Sequence, residues 1–139
     1  MRAFHIAFAG APAQLAEIET PRPEPGQIRL RIAACGLNFA DLLMEKGTYQ
    51  DTPEAPFTLG MEVAGTVDAL GEGVTGLEPG QRGAVFGGQG GLAEFGCFEA
   101  ARAVAIPETM SFTDAAAFQI AYGTSHLALS HRARLQPGE

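Results

Sequence analysis

A chain of 139 residues with 46% hydrophobic and 18% charged side chains is long enough for one packed domain and too apolar for disorder. Its formal net charge of −7 gains nothing from a phosphate backbone, which argues against nucleic acid as a partner. Two cysteines, Cys35 and Cys97, with no Cys-x-x-Cys pair, exclude a four-thiolate zinc knot; two free thiols in a cytoplasmic protein are the simplest reading, with a disulfide between them left open.

The first six residues, Met1 to Ile6, are too short an apolar run for a signal peptide. No stretch approaches the ~20 apolar residues that span a bilayer. The expectation is a soluble, cytoplasmic protein with no membrane partner. Arg2 to Phe8 reads as an opening strand and Leu15 to Thr20 as its hairpin partner. The run Pro21-Arg22-Pro23-Glu24-Pro25-Gly26 then stops any regular element. Ile28 to Ala33 alternates with period two, apolar residues inward and arginines outward. A short helix is predicted over Asn38 to Lys46, with Asn38 as its cap, Asp41 in the first turn and Gly47 after its end.

Pro53 and Pro56 make Thr48 to Phe57 a loop. Thr58 to Leu70, Arg82 to Phe86, Leu92 to Phe98 and Ala103 to Ile106 complete the strands. Ser111 and Asp114 form a capping-box-like start for a helix through Ile120, and Tyr122 to Arg134 reads as a second helix. About seven short strands, punctuated by many Gly and Pro, predict a mainly β, barrel-like domain with peripheral helices.

Several runs carry more than a pattern. Cys35-Gly36-Leu37-Asn38-Phe39-Ala40-Asp41, Gly60-Met61-Glu62-Val63-Ala64-Gly65-Thr66-Val67 and Gly71-Glu72-Gly73-Val74 are followed in order by Pro79-Gly80-Gln81-Arg82-Gly83 and Gly91-Leu92-Ala93-Glu94-Phe95. Tyr122-Gly123-Thr124-Ser125 and Leu135-Gln136-Pro137-Gly138-Glu139 close the series. Together they resemble the N-terminal, GroES-like domain of the medium-chain dehydrogenase/reductase superfamily. The resemblance spans nearly the whole chain and implies a GroES-like, partly open β-barrel with short peripheral and C-terminal helices.

The departures from that pattern are informative. Zinc-dependent members place a Cys ligand where this chain has Asn38 and a His ligand where it has Met61. A carboxamide and a thioether are poor zinc donors. Ala40 stands where alcohol dehydrogenases commonly carry a proton-relay hydroxyl. The resemblance therefore implies the zinc-free branch, which looks like quinone oxidoreductases and enoyl reductases, with no metal ligands.

In that branch hydride passes from NADPH to a quinone or an α,β-unsaturated carbonyl, the small-molecule substrate implied here. By resemblance, Tyr49 in Gly47-Thr48-Tyr49 and Asn38 are the catalytic candidates. Asn38, Asp41 and Thr124 are the cofactor-binding candidates. Tyr49 would offer a phenolic donor to the oxygen on which charge develops. Leu43 stands where some quinone reductases carry a second tyrosine.

Each residue also has a plainer reading. Asn38 is a helix cap, Tyr49 packs on Pro53 and Pro56, and Asp41 is a first-turn carboxylate favoured by the helix dipole. Glu62 is expected to be a buried acid paired with an arginine. His5, His126 and His131 are expected at the surface, and the spacing of the last two does not share a face of an α-helix. Gly88-Gln89-Gly90-Gly91-Leu92-Ala93 mimics a dinucleotide fingerprint, but a strand-like run follows where a helix is needed.

Family members continue beyond Pro137-Gly138-Glu139 into a nucleotide-binding domain, to which residues 122–139 would lead. This chain carries no such βαβ unit, so it is expected to be a shortened form with little or no hydride-transfer activity. An apolar wall near Phe39, Leu43, Ala121 and Leu127 would then be uncovered, which favours a homo-oligomer. Two alternatives stay open: a non-enzymatic GroES-like binding module, and a zinc-type alcohol dehydrogenase relative that has lost its metal.

Overall fold

The computed structural model describes residues 1–139. Strand β1 spans Arg2–Ile6 and pairs on one side with β2 (Gln14–Glu17) and on the other with the two-residue β4 (Phe57–Thr58). A five-stranded antiparallel sheet runs in the order β7-β3-β5-β6-β8, from β3 (Gln27–Gly36), β5 (Glu62–Leu70), β6 (Arg82–Phe86), β7 (Phe95–Glu99) and β8 (Ala103–Ala105). The two sheets touch through the bridge Ala3–Ala93. Eight strands form this mainly β, GroES-like domain.

Strand β3 organises the larger sheet. Ile28 and Leu30 face inward and are fully buried, while Arg29 and Arg31 turn outward onto the Phe95 ring and Asp68. Register shifts between Arg29/Leu30 and Ile32/Ala34 kink β3 against β5. Such bulges add twist, which lets a small sheet curl around a core. That core holds Ile28, Leu30, Val63, Val67, Val85 and Phe98. A second cluster, with Ile6, Met44, Phe57, Leu59 and Met61, lies between the smaller sheet and helix α1 (Phe39–Glu45).

Helix α2 (Phe112–His126) starts at Ser111, whose Oγ accepts the Asp114 backbone N–H at 3.0 Å. It lies on the large sheet through small residues. Ala115 and Ala116 meet Ala64 and Ala84, so the helix approaches the strands closely.

The structure corrects several boundaries. The two helices expected at the C-terminus are one continuous path, α2 followed without a break by a π-helix over Leu127–Ala133. Gly123 weakens a helix by only about 1 kcal/mol relative to Ala, too little to end it. The π-helix, with its i→i+5 bonding, brings His126 and His131 into an edge-on contact at 5.8 Å between ring centroids. Spacing that separates two residues on an α-helix joins them here, although both remain at the surface. The strand expected from Leu92 starts only at Phe95, because Leu92 and Glu94 bond to β1 and its neighbours instead.

Candidate functional site

Helix α1 begins at Asn38, which has extended backbone angles and forms a capping box with Asp41. The Asp41 carboxylate accepts the Asn38 backbone N–H at 2.9 Å through Oδ2. Its Oδ1 accepts the Gly60 N–H at 3.0 Å. Gly60 has φ +101°, and a Cβ there would lie 2.5 Å from the Leu92 backbone nitrogen, so no other residue fits this corner. Asp41 thereby ties the start of α1 to the turn that presents Met61. It is buried, and it does not line the cleft described below.

Glu62 is only 3% exposed, and no arginine reaches it. The expected arginine pairing is therefore wrong. The sheet's arginines pair elsewhere: Arg29 donates to Asp68 at 2.7 Å and Arg82 to the carbonyls of Pro107, Glu108 and Met110. Glu62 is satisfied by two N–H donors instead. Asn38 Nδ2 donates to Oε1 at 3.0 Å and the Ile120 backbone N–H donates to Oε2 at 2.9 Å. One carboxylate thus joins the head of α1 to the middle of α2. Gly36 leaves room for it, since a Cβ there would stand 2.5 Å from Oε1.

Between α1, α2 and the β5–β6 edge lies an open cleft of about 610 Å³, lined by Asn38, Tyr49, Met61, Phe86, Gln119 and Thr124 among others. Most of its lining is apolar. Tyr49 packs its ring on the Met44–Met61 cluster and turns toward this space. Gln119 carries the domain's single buried side-chain donor without a partner, its Nε2. Leaving such a group unpaired costs about 1–3 kcal/mol.

The two thiols take no part. Burial, helped by the nearby Asp41 and Glu62 carboxylates, pushes the Cys35 thiol up to about 12. Burial also raises Cys97, partly offset by Arg29. Both are free. Cys97 pairs in register with Arg29, six residues along β3 from Cys35, a separation of about 20 Å in a strand. A disulfide needs Cα atoms within about 7 Å, which closes that alternative. No group of three or more His, Cys, Asp or Glu side chains is placed so that it could hold a metal ion.

Residues 24–108 match the alcohol dehydrogenase GroES-like domain. The chain belongs to that family.

Its relatives are quinone oxidoreductase-like and VAT-1-like proteins of the medium-chain dehydrogenase/reductase superfamily. It is 45% identical over 114 residues to quinone oxidoreductase-like protein 2 homolog of Nematostella vectensis, covering 81% of this chain and 31% of that protein. It is 44% identical over 118 residues to human synaptic vesicle membrane protein VAT-1 homolog, covering 85% and 30%. Among solved structures, the human VAT-1 homolog-like protein superimposes with a TM-score of 0.91 at 36% identity, covering 99% of this chain and 45% of that one. The quinone oxidoreductase of Thermus thermophilus, solved also with NADPH, gives 0.84 at 39% identity, covering 100% and 43%. The chain spans about a third of the length of the curated relatives.

Within this GroES-like domain, three of the four residues singled out in the sequence, Asn38, Tyr49 and Thr124, meet at the cleft, with Met61 between them. Asp41 stands behind Asn38, as its backbone anchor. The cleft is roomy, mostly apolar and edged by amide and hydroxyl groups, the lining of a small-molecule site. The glycine tract at 87–91 leads into strand β7 and no helix follows, so it builds no pyrophosphate cradle. Sequence reasoning missed the bridging role of Glu62. A signal was present, in an acid followed by Val63-Ala64-Gly65 with nothing polar to keep it at the surface. Phe86 and Gln119 carried no such mark.

Proposed function

We propose that this domain is the substrate side of an NADPH-dependent, zinc-independent oxidoreductase that transfers hydride to a quinone or an α,β-unsaturated carbonyl. The observation that carries this reading is the meeting of Asn38, Tyr49, Thr124 and Met61 on one apolar cleft. An amide and a thioether stand where a metal-dependent relative needs imidazole and thiolate. NADPH, when bound, supplies the hydride, and Asn38 and Thr124 are the residues that would hold its nicotinamide end.

The chain's own groups do the rest. Asn38 commits one amide N–H to Glu62 and keeps the other for a ligand oxygen. Tyr49 presents a phenol that donates to the carbonyl oxygen as negative charge gathers there. Met61, Phe86 and Leu127 give the cleft its apolar walls, against which the carbon skeleton of the substrate packs. The phosphates need a second, nucleotide-binding domain, so the 139-residue chain alone is proposed to be inactive.

The test joins this chain to a nucleotide-binding domain of the same superfamily and follows NADPH oxidation with 1,4-benzoquinone and with an enoyl thioester. Turnover of either supports the reading. Response only to a simple alcohol with NAD overturns it.

A further inference from the structure

The cleft does not end at Tyr49. A second hollow of about 350 Å³ shares Tyr49, Met61 and Phe86 with it and reaches Arg102 at its other side. Its wall at Gly87 and Gly88 is held in place, since both backbone N–H groups donate to the Met61 carbonyl at 2.9 and 3.0 Å. The two hollows adjoin at these shared side chains, and the groove they offer together has Asn38 in its first part and Arg102 in its second.

Arg102 is the cation of this groove. Arg2, Arg29, Arg31 and Arg82 all have carboxylates within reach. Arg102 has none, and none of the other unpaired cations lines either hollow. Asp51 shares the same lining without forming an ion pair with it. In a chain of net charge −7, an exposed guanidinium without a carboxylate partner, in the more polar of the two hollows, is a local exception. Its planar fork suits a carboxylate or a comparable oxyanion.

We infer that Arg102 is a specificity residue, and that the groove takes an elongated conjugated carbonyl compound carrying an anionic group at the end remote from the carbonyl. The carbonyl lies toward Asn38 and Tyr49 and the anion toward Arg102. This inference rests on the reading of the cleft as a site for conjugated carbonyls.

A matched pair of ligands tests it on the 139-residue chain. Benzylideneacetone and its para-carboxylate differ by one anionic group. Each is titrated by NMR while the Met61 methyl signal is followed. At low salt the carboxylate is expected to bind roughly fivefold more tightly, the scale of a part-exposed ion pair. Arg102→Gln removes that preference and leaves the neutral enone's affinity unchanged, which also shows the variant is folded. Asp51→Asn enlarges the preference. Equal affinity in the unsubstituted chain, or a preference that survives Arg102→Gln, overturns the role of Arg102 alone. If the neutral enone fails to move the Met61 signal, the conjugated-carbonyl reading itself falls and takes this inference with it.

Discussion

Glu62 shows how much one side chain decides. It is buried without a cation and satisfied only by the Asn38 amide and the Ile120 N–H. In Glu62→Gln the new amide can accept through only one atom, so one donor is lost to it. A destabilisation of about 1–3 kcal/mol is expected, read by far-ultraviolet circular dichroism in urea because the chain has no Trp. The Asn38 side-chain amide proton should move upfield in the same variant. Gly36→Ala tests the space rather than the charge. Its Cβ would press on the Glu62 carboxylate, and overpacking of this kind costs about 1–3 kcal/mol. Cys35 supplies a pH test. Its thiol is held up to about 12 in the fold, against about 8.5 in an unfolded chain. The folded state therefore keeps a proton that the unfolded state releases. Stability from this group is complete below the unfolded value and is lost as pH rises toward 12. At a pH of about 8, just below the unfolded value, iodoacetamide should label Cys35 far more slowly in the native chain than in urea. Equal rates would contradict the burial described.

At the scale of elements, α2 divides into two halves. Its first part is clamped by Ser111, by the alanine contacts and by Glu62. From Ala121 onward every residue is exposed. Hydrogen exchange should follow that division, with amides before Ile120 protected and those of the π-helix exchanging early. Ser111→Ala removes the cap and is expected to lower stability by about 1 kcal/mol. Most strands could be read from alternation, and β6 matched its expected bounds of Arg82 to Phe86. The misread elements have different causes. The π-helix is a local change to i→i+5 bonding in a segment whose residues are all exposed, whereas the late start of β7 follows from bonds of Leu92 and Glu94 to β1, Leu59 and Ile32, which local propensity does not encode.

On the scale of the whole molecule, the uncovered face of α2 is the main feature. Phe118 and Tyr122 stack at 4.8 Å and are 48% and 63% exposed. Leu127, Leu129 and Leu135 extend the apolar surface. A patch of this kind favours association, so sedimentation velocity is expected to show a concentration-dependent dimer that Phe118→Ser with Tyr122→Ser returns to monomer. A monomer at all concentrations would count against it.

The sequence carried the fold class through its resemblance to a GroES-like domain and most strands through alternation and spacing, although Thr58 to Leu70 reads as one strand where the structure has Phe57–Thr58 and Glu62–Leu70 in separate sheets. It also named Asn38, Tyr49 and Thr124, which stand far apart along the chain. It took the packing of the domain to bring them to one cleft, to set Asp41 behind it, to make Glu62 join two helices through N–H donors where an arginine was expected, and to place Arg102 on the neighbouring hollow. Those facts arise where segments distant in sequence pack together, and a buried polar group takes whichever donor that packing brings within reach.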